Sequence, residues 1–239
     1  MPHKCQKCQD RGWVFHQDQQ GVEWAVTCEC QKQRQIERIV DSSGISDAFQ
    51  RKTLINFEIK DIHPKVFEAF KIARDYVKGF GEIKDTEHNS LLLCGEPGSG
   101  KTHLIAAVAN QLMSQEIPVL YFMYVEHMDQ LKTLAVTNRE EMEQKIKEIR
   151  EVPVLLIDDL YKGRPDLTPI VKEIMFNIIN YRYLNCLPML VSTELTRQEI
   201  LASDTGIGRR IIERAKGHTV ELVDREKPLS LNYWMRGMV

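Results

Sequence analysis

Short apolar runs alternate along most of the chain with longer stretches in which apolar residues recur at helical spacing. The continuous runs predict buried strands at 91–94, 119–122, 154–157 and 189–191. The stretches around them predict helices, one opened by Pro64 and ended by Gly81, and another opened by Thr168 and Pro169. Buried strands that alternate with helices are typical of a parallel sheet covered by helices on both faces, so we expect an α/β fold.

The first 33 residues follow a different pattern. Two short apolar segments, 13–15 and 24–26, flank the polar stretch 17–21 and predict a small β-hairpin. Residues 34–60 are polar and mixed in charge, which indicates a linker with some helix. The predicted organisation is a small module at 1–33, a linker at 34–60 and a domain at 61–239.

A glycine-rich loop with the pattern G-x-x-x-x-G-K-[ST] follows the first predicted strand of the domain. Glycines let the backbone curl so that its N–H groups point at phosphate oxygens. We expect Lys101 to add a cation at the β- and γ-phosphates and the Thr102 hydroxyl to bind Mg²⁺, with a helix N-terminus aimed at the same anion. The pattern therefore predicts an ATP site formed by Gly95, Glu96, Pro97, Gly98, Ser99, Gly100, Lys101 and Thr102.

Two acidic residues, Asp158 and Asp159, follow the apolar run 154–157. Ligands gather at the carboxyl ends of strands in open α/β sheets. We expect Asp158 to share Mg²⁺ with Thr102 and Asp159 to orient or deprotonate the attacking water. The alternative is that the two residues only cap a turn or a helix.

Two later segments carry further candidate catalytic residues. The polar strand end 192–194 is either a sensor of the γ-phosphate, with Thr193 or Glu194 in that role, or an ordinary turn. The last predicted helix places Arg210 and Arg214 on one exposed face, with isoleucines turned inward. Such arginines are either only solvated or reach a neighbouring subunit's nucleotide, where an arginine stabilises the phosphate being transferred.

The N-terminal module contains two close pairs of cysteines, with C-x₂-C and C-x-C spacing. The first spacing suits a metal-binding knuckle, and the second places both side chains on the same face of a strand. Cytosolic thiols stay reduced, which disfavours disulfides. Four sulfurs leave no open coordination position, so we expect a structural Zn²⁺ bound by Cys5, Cys8, Cys28 and Cys30, with His3 and His16 as reserve ligands.

The overall charge and hydropathy narrow the function only slightly. The net charge is −2, from 32 basic and 34 acidic residues, which neither indicates nor excludes binding to nucleic acid. No apolar run approaches the ~18 residues of a membrane span, and the N-terminus has no apolar core. We therefore expect a cytoplasmic protein without a membrane partner.

The chain resembles the DnaC/DnaI type of bacterial and phage replicative helicase loader. Four features carry this resemblance: the glycine-rich loop, the Asp158-Asp159 pair, the segment 208–214 and the cysteine module. The segments 53–57 and 158–163 strengthen the resemblance, which spans nearly the whole chain. It implies an AAA+ P-loop ATPase without a C-terminal lid domain. Such a protein binds a hexameric replicative helicase through its N-terminal module and helps to place it on single-stranded DNA. It self-assembles or stacks on the helicase hexamer.

The resemblance also implies roles for particular residues. Asp159 is the catalytic acid, Arg214 is the arginine finger and Arg210 is the second choice for that role. The sensor position, commonly Asn in such proteins, is held here by Thr193 or Glu194.

Three other classes of protein share parts of this pattern. A transposition helper ATPase has a similar core, but the cysteine module favours the loader. A P-loop kinase would need an arginine-rich lid over a second substrate, which the sequence does not display. A zinc- and ATP-binding module that does not hydrolyse ATP is disfavoured by the intact Lys101, Thr102, Asp158 and Asp159.

Overall fold

The chain forms two compact units, Met1–Gly44 and Ile45–Val239, in the computed structural model. The structure describes residues 5–17, 21–31, 47–60, 62–163, 167–224, 226 and 229. The predicted boundary at residue 33 and the predicted linker up to residue 46 lie outside these ranges. Residues 47–60, which the sequence assigns to the linker, belong to the second unit.

The first unit contains an antiparallel hairpin of β1 (Trp13–Gln17) and β2 (Glu23–Thr27), as the sequence predicts. Directly paired residues share a face of the hairpin, and each face carries apolar or aromatic side chains. One face has Val14 opposite Val26 and His16 opposite Trp24, and the other has Trp13 opposite Thr27 and Phe15 opposite Ala25. Residues 18–20 of the connection lie outside the described part of the chain.

The second unit is built on a parallel sheet of five strands in the spatial order β4-β5-β6-β3-β7. The strands are β3 (Leu91–Gly95), β4 (Val119–Met123), β5 (Val154–Asp158), β6 (Met189–Thr193) and β7 (Thr219–Leu222). Every residue of β3, β5 and β6 is buried, as expected for strands covered on both faces. The sequence pattern does not predict β7, because its four residues lack the continuous apolar run that marks the other strands. Since β6 lies between β3 and β5, its end is placed between the glycine-rich loop and the acidic pair.

Helices occupy the predicted stretches, with small differences at their ends. They are α1 (Asp47–Gln50), α2 (Pro64–Ile83), α3 (Lys101–Ser114), α4 (Tyr124–Thr137), α5 (Arg139–Glu151), α6 (Pro169–Leu184), α7 (Arg197–Ser203) and α8 (Thr205–Arg214). The expected end of α2 at Gly81 is wrong, since the Lys84 N–H still donates to the Phe80 carbonyl at 2.9 Å. A glycine inside a helix costs only about 1 kcal/mol, so Gly81 does not stop it. Helix α7 begins with a capping box formed by Thr196 and Glu199.

Helix α3 starts at the loop lysine, and most of its residues are buried. Its innermost residues, at 0% exposure, are Leu104, Ile105, Ala106, Val108, Ala109 and Leu112. Replacing a large residue at such a position by alanine typically costs 2–5 kcal/mol. The glycine-rich loop is therefore held between two rigid elements, strand β3 and helix α3.

The segment 49–57, called the arm below, is fixed to α3. Asn110 donates its side-chain N–H to the Lys52 carbonyl at 2.7 Å. The ring of His103, one residue after the loop, meets Phe57 edge-on with ring centroids 5.1 Å apart. Phe57 itself is buried in the core. The chain that enters the second unit is thus tied to the helix that begins at the phosphate loop.

A buried arginine ties together the amino ends of β5 and β6. The Arg182 side chain is fully buried and donates to the carbonyls of Val152 and Pro188, both at 2.7 Å. Buried charge is tolerated only where hydrogen bonds replace the lost water. The guanidinium therefore fixes the relative position of the two strands whose opposite ends form the site.

Two other expectations concern the chain as a whole. None of the helices in the described ranges has the length and apolar character needed to cross a membrane. The predicted absence of a lid domain depends on residues 230–239, which lie outside the described residues.

Candidate nucleotide and metal sites

The glycine-rich loop leaves β3 with three glycines in the left-handed region, where residues with a Cβ are strained. Gly95, Gly98 and Gly100 have φ of 113°, 71° and 89°. A Cβ at Gly95 would also lie 2.3 Å from the Leu222 carbonyl oxygen of β7, so a side chain cannot fit there. Gly100 is the N-cap of α3, which places the loop directly at the positive end of that helix. The loop has the geometry that the phosphate-site prediction requires.

The Lys101 ammonium is folded back onto its own loop. Its Nζ donates to the carbonyl oxygens of Gly95 at 2.9 Å and Glu96 at 2.6 Å, and the residue is only 4% exposed. Burial lowers the pKa of Lys101, and the nearby carboxylates of Glu194 and Asp159 oppose that shift. The Lys101 ammonium therefore lies at the loop, and a bound phosphate can replace the two carbonyl oxygens as its hydrogen-bond acceptors.

Asp158 faces the loop across the end of the sheet. Its Oδ1 accepts a hydrogen bond from the Thr102 hydroxyl at 3.0 Å and another from the Ser192 hydroxyl. Burial raises the pKa of Asp158, while these two hydrogen bonds lower it. The predicted pair Thr102 and Asp158 is therefore brought together, and their oxygens are of the type that Mg²⁺ prefers. Ser192 joins them, and the sequence signal for it was its polar position at the end of an apolar strand.

Asp159 points elsewhere, because its backbone turns sharply after β5. Its φ is 57°, a left-handed value for a residue with a Cβ, and its N–H donates to the Ser192 hydroxyl at 3.0 Å. Its Oδ2 accepts from Lys162 at 2.9 Å, and the same ammonium lies 3.1 Å from Glu194 Oε1. The structure therefore groups Asp159, Lys162 and Glu194 beside the Asp158 cluster.

The two candidate sensors lie in different environments. Thr193 is fully buried, and its hydroxyl donates to the Leu160 carbonyl at 2.7 Å and accepts from the Leu195 N–H at 3.2 Å. These contacts hold the turn after β5 against the end of β6. Glu194 is partly exposed, and its carboxylate influences the pKa of Lys101. Of the two, Glu194 is the one whose side chain faces the charged groups of the site.

The expected exposed position of Arg214 is wrong. The side chain is buried on the stripe of α8 that includes Ile207 and Ile211, and only 5% of the residue is exposed. Its guanidinium donates to the carbonyl oxygen of Glu87 at 2.9 Å and to that of Tyr183. Arg214 is therefore committed to carbonyl groups of its own chain, which gives it a structural role in this structure.

Arg210, one turn earlier, is only partly buried. Its Nε donates to Asn180 at 3.0 Å, its Nη1 donates to the Gly206 carbonyl at 2.9 Å, and its guanidinium stacks over Phe176 at 5.0 Å. Nη2 has no hydrogen-bond partner among the described residues. Of the two arginines, Arg210 is therefore our candidate for the arginine finger.

Two charged residues near the loop make long-range contacts that the sequence does not predict. Lys52 of the arm is half-buried, which lowers its pKa, while Asp158 and Asp159 oppose that shift. Glu96, the second residue of the loop, accepts backbone N–H bonds from Asp224 at 2.9 Å and Leu229 at 2.8 Å. Both contacts connect segments far apart in the sequence, so no local pattern indicated them.

The four N-terminal cysteines converge. Their sulfur atoms all lie within 4.8 Å of one another, with Cys5 and Cys28 at 3.8 Å and Cys8 and Cys30 at 3.3 Å. A disulfide bond is about 2.05 Å, so these are not bridges. A tetrahedral zinc with Zn–S bonds of about 2.3 Å places its sulfurs about 3.8 Å apart. The donor set and its spacing therefore fit a closed zinc site.

The backbone around the cysteines has the turns that such a site needs. The Gly12 N–H donates to the Cys8 sulfur at 3.4 Å, and Gly12 has a φ of 81°. Burial alone would raise the pKa of Cys8, but hydrogen bonds from Cys30 and the Gly12 N–H outweigh it and bring the pKa to about 6. The same hydrogen bond raises the pKa of Cys30, so the contact favours the thiolate, the form that binds metal, at Cys8 rather than at Cys30. The reserve ligand His16 instead stacks on Trp24 at 5.7 Å, and His3 lies outside the described residues.

A glycine-rich phosphate loop at the end of a central parallel strand, with an acidic strand end reached by the loop's own threonine, defines a nucleotide-binding P-loop domain of the AAA+ class. Residues 66–210 match the sequence pattern of the bacterial DnaA ATPase domain, and the chain belongs to this family.

Several relatives extend the match beyond that domain. The phage-like element PBSX protein XkdC of Bacillus subtilis is 35% identical over 240 residues, which are 99% of this chain and 88% of that protein. The replicative helicase loader DnaI of Bacillus subtilis is 25% identical over 170 residues, 71% of this chain and 52% of that protein. The replicative helicase loader DnaC of Escherichia coli is 25% identical over 181 residues, 76% of this chain and 69% of that protein.

Solved structures agree with these relatives on the fold. The crystal structure of DnaI matches with a TM-score of 0.59 at 22% identity, covering 77% of this chain and 94% of that one. The DnaC helicase loader matches with a TM-score of 0.59 at 23% identity, covering 75% of this chain and 100% of that one. The predicted AAA+ fold and the resemblance to the DnaC/DnaI type are confirmed.

Proposed function

We propose that this chain is an ATP-hydrolysing loader that binds a hexameric replicative DNA helicase and helps to place it on single-stranded DNA. The relatives DnaI and DnaC carry the name of replicative helicase loader, and they share this fold. The observation that carries the proposal is the convergence of Thr102, Asp158 and Ser192 beside the loop lysine, in a chain that also carries a cysteine-bearing unit. In this proposal ATP hydrolysis drives the loading step, and the cysteine-bearing unit binds the helicase.

At the nucleotide site each residue has a defined task. Lys101 exchanges the carbonyl oxygens of its loop for the β- and γ-phosphates of ATP, and the loop N–H groups bind the remaining phosphate oxygens. Thr102 and Asp158 hold Mg²⁺, which when bound supplies positive charge at the phosphates. Asp159 orients the attacking water or takes its proton.

The N-terminal unit holds Zn²⁺ through four thiolates and presents the hairpin to the helicase. The exposed fractions of Trp13, Phe15, Trp24 and Val26 are 47%, 64%, 46% and 46%. Aromatic residues are enriched in protein interfaces, where they supply large contact area. A hairpin that exposes such residues on both faces favours a protein partner over solvent.

Single-stranded DNA and assembly complete the proposal. A solved structure of the replication initiator DnaA bound to AMPPCP and single-stranded DNA matches this chain with a TM-score of 0.55 at 20% identity, covering 74% of it. That protein is bound to an ATP analogue and single-stranded DNA together, which supports our proposal of both ligands here. Arg210 would complete the site of a neighbouring copy, in an assembly formed by the chain itself or on the helicase hexamer.

A capture experiment tests the loader function. The zinc-loaded chain should be retained by the immobilised replicative helicase hexamer from the same source, and a double variant Trp13→Ser, Phe15→Ser should be retained far less. The matched control changes an exposed apolar residue of the other unit, Val136→Ser, and should bind like wild type. A chain that never binds the helicase, yet hydrolyses ATP faster with single-stranded DNA alone, would contradict the loader proposal.

Two variants, one at Lys101 and one at Asp159, should separate ATP binding from ATP hydrolysis. Lys101→Ala should abolish measurable ATP binding, because the loop loses its cation. Asp159→Asn should bind ATP normally and hydrolyse it about 10²- to 10⁴-fold more slowly, the usual range for loss of a general base. Fluorescent-nucleotide titration and phosphate release measure the two effects.

The control for this pair is Asp129→Asn, which removes the acid of another i,i+3 lysine pair on α4 without touching the site. If Asp159→Asn hydrolysed ATP as fast as wild type, Asp159 would not be the catalytic acid.

A further inference from the structure

Lys162 forms an ion pair with each of two carboxylates at the carboxyl end of the sheet. Its Nζ lies 2.9 Å from Asp159 Oδ2 and 3.1 Å from Glu194 Oε1. Asp159 follows β5 and Glu194 follows β6, so a single ammonium connects the proposed catalytic acid to the neighbouring strand end. The side chains of Lys162, Asp159 and Glu194 remain 43%, 25% and 33% exposed, so all three are in contact with water.

The backbone directs Asp159 toward this lysine. Three features fix this turn. Asp159 has a left-handed φ of 57°, its N–H donates to the Ser192 hydroxyl, and its carbonyl accepts from the Lys162 N–H at 3.0 Å. Asp158 and Asp159 are adjacent, yet the first faces the Thr102 hydroxyl and the second faces Lys162. The acid assigned to the attacking water is therefore occupied by a cation of its own chain.

We propose that Lys162 is a positioning residue that holds the Asp159 carboxylate out of its working position and so restrains ATP hydrolysis, with Glu194 keeping the lysine in place. The inference rests on the proposed ATPase function. A carboxylate paired with an ammonium must break that contact before it can turn toward another group. One of its two oxygens is also unavailable to water. Asp159 must give up Lys162 before it can serve as the base.

The strength of the restraint suits a reversible control. Partly exposed ion pairs contribute a factor of at most about five to an equilibrium at 25 °C. Such a pair slows the basal reaction but yields when the site fills or a partner repacks the two strand ends. The alternative is that Lys162 accelerates hydrolysis, because a cation at this place could stabilise the phosphate being transferred. The two roles predict opposite changes in rate.

The first test is steady-state kinetics of the full chain with Mg²⁺ and ATP. Lys162→Met keeps the length of the side chain and removes the charge, so it should raise kcat up to about fivefold with KM unchanged. Lys162→Arg should restore the wild-type rate, because it keeps the cation. The matched control is Lys132→Met, which breaks the 2.7 Å pair with Asp129 on α4 and should leave kcat unchanged. Added salt should narrow the difference between Lys162→Met and wild type, since salt screens exposed pairs.

The second test does not depend on hydrolysis. In the nucleotide-free chain, acylation of lysines by an N-hydroxysuccinimide ester, followed by mass spectrometry, should modify Lys162 more slowly than Lys132. Asp159→Asn should speed the modification of Lys162 relative to Lys132. The direction of the pKa agrees, since the hydrogen bond to Asp159 raises the pKa of Lys162.

The outcomes are distinct. A faster Lys162→Met together with the change in labelling supports the restraint. A slower Lys162→Met, or one equal to wild type, overturns it, as does labelling that Asp159→Asn leaves unchanged. A wild-type chain without any ATP hydrolysis would instead contradict the proposed function, and the restraint would fall with it.

Discussion

Replacing Cys28 and Cys30 by serine should remove the bound zinc and unfold the N-terminal unit, while ATP binding stays at the wild-type level. Among the described residues of 5–31, only Cys8, Gly12 and Cys28 are buried, so this unit has almost no apolar core apart from its thiols. A two-stranded hairpin alone is marginally stable at best. Structural zinc contributes about 10–16 kcal/mol to the folding of small metal-binding domains, far more than the hairpin can supply.

The measurement combines metal content, expected at about one Zn²⁺ per chain, with the fluorescence of Trp13 and Trp24, which should report the loss of the hairpin. Cys186→Ser is the matched control, because it removes a partly exposed thiol of the other unit and should keep the zinc. Retention of zinc by the double variant would rule out the four-thiolate site. Loss of ATP binding together with the metal would contradict the independence of the two units.

Arg210→Ala should lower ATP hydrolysis in assemblies by up to about 10³-fold while leaving ATP affinity nearly unchanged. The guanidinium is only partly buried, and its Nη2 has no partner among the described residues. Stacking over Phe176 and the bond to Asn180 hold it in a defined direction, which is what a residue serving a neighbour's nucleotide needs. Arg209→Ala is the control, since Arg209 is exposed and adjacent on the same helix.

Mixing two inactive variants decides whether Arg210 acts between subunits. An assembly that combines Arg210→Ala with Asp159→Asn contains some interfaces in which an intact Asp159 meets an intact Arg210. Partial activity should therefore return in the mixture. A mixture as inactive as each variant alone would show that Arg210 does not act in trans. Arg214→Ala is unsuited to this experiment, because it would remove the donors that hold the carbonyls of Glu87 and Tyr183.

The elements that sequence could predict are those with a strong local pattern. Continuous apolar runs gave four strands of the central sheet, and the glycine-rich loop and Asp158 followed them at the expected strand ends. Thr102 and Asp158 meet as expected, because the carboxyl ends of parallel strands lie at one edge of the sheet. The paired cysteines also converge as their spacing indicated.

What the sequence could not predict depends on contacts between distant segments. Arg214 was placed on an exposed face because helical spacing cannot distinguish a charged residue in water from a buried one that donates to carbonyl groups. Strand β7 has a weak alternating pattern and is recognised only through its pairing with β3. The group of Lys162, Asp159 and Glu194 depends on β6 lying next to β5, which is a property of the strand order and not of any one segment.

The hydrogen bonds from the backbone N–H groups of Asp224 and Leu229 to the Glu96 carboxylate restrict how the sequences of such chains can diverge. The second residue of a phosphate loop is free to vary in the sequence motif, yet here its carboxylate serves two backbone N–H groups beyond β7. A relative with a different residue at this position would need another acceptor for those groups, so the loop and the segment 223–229 should change together during evolution. Exchanging phosphate loops between relatives would accordingly succeed best when that segment is transplanted with them.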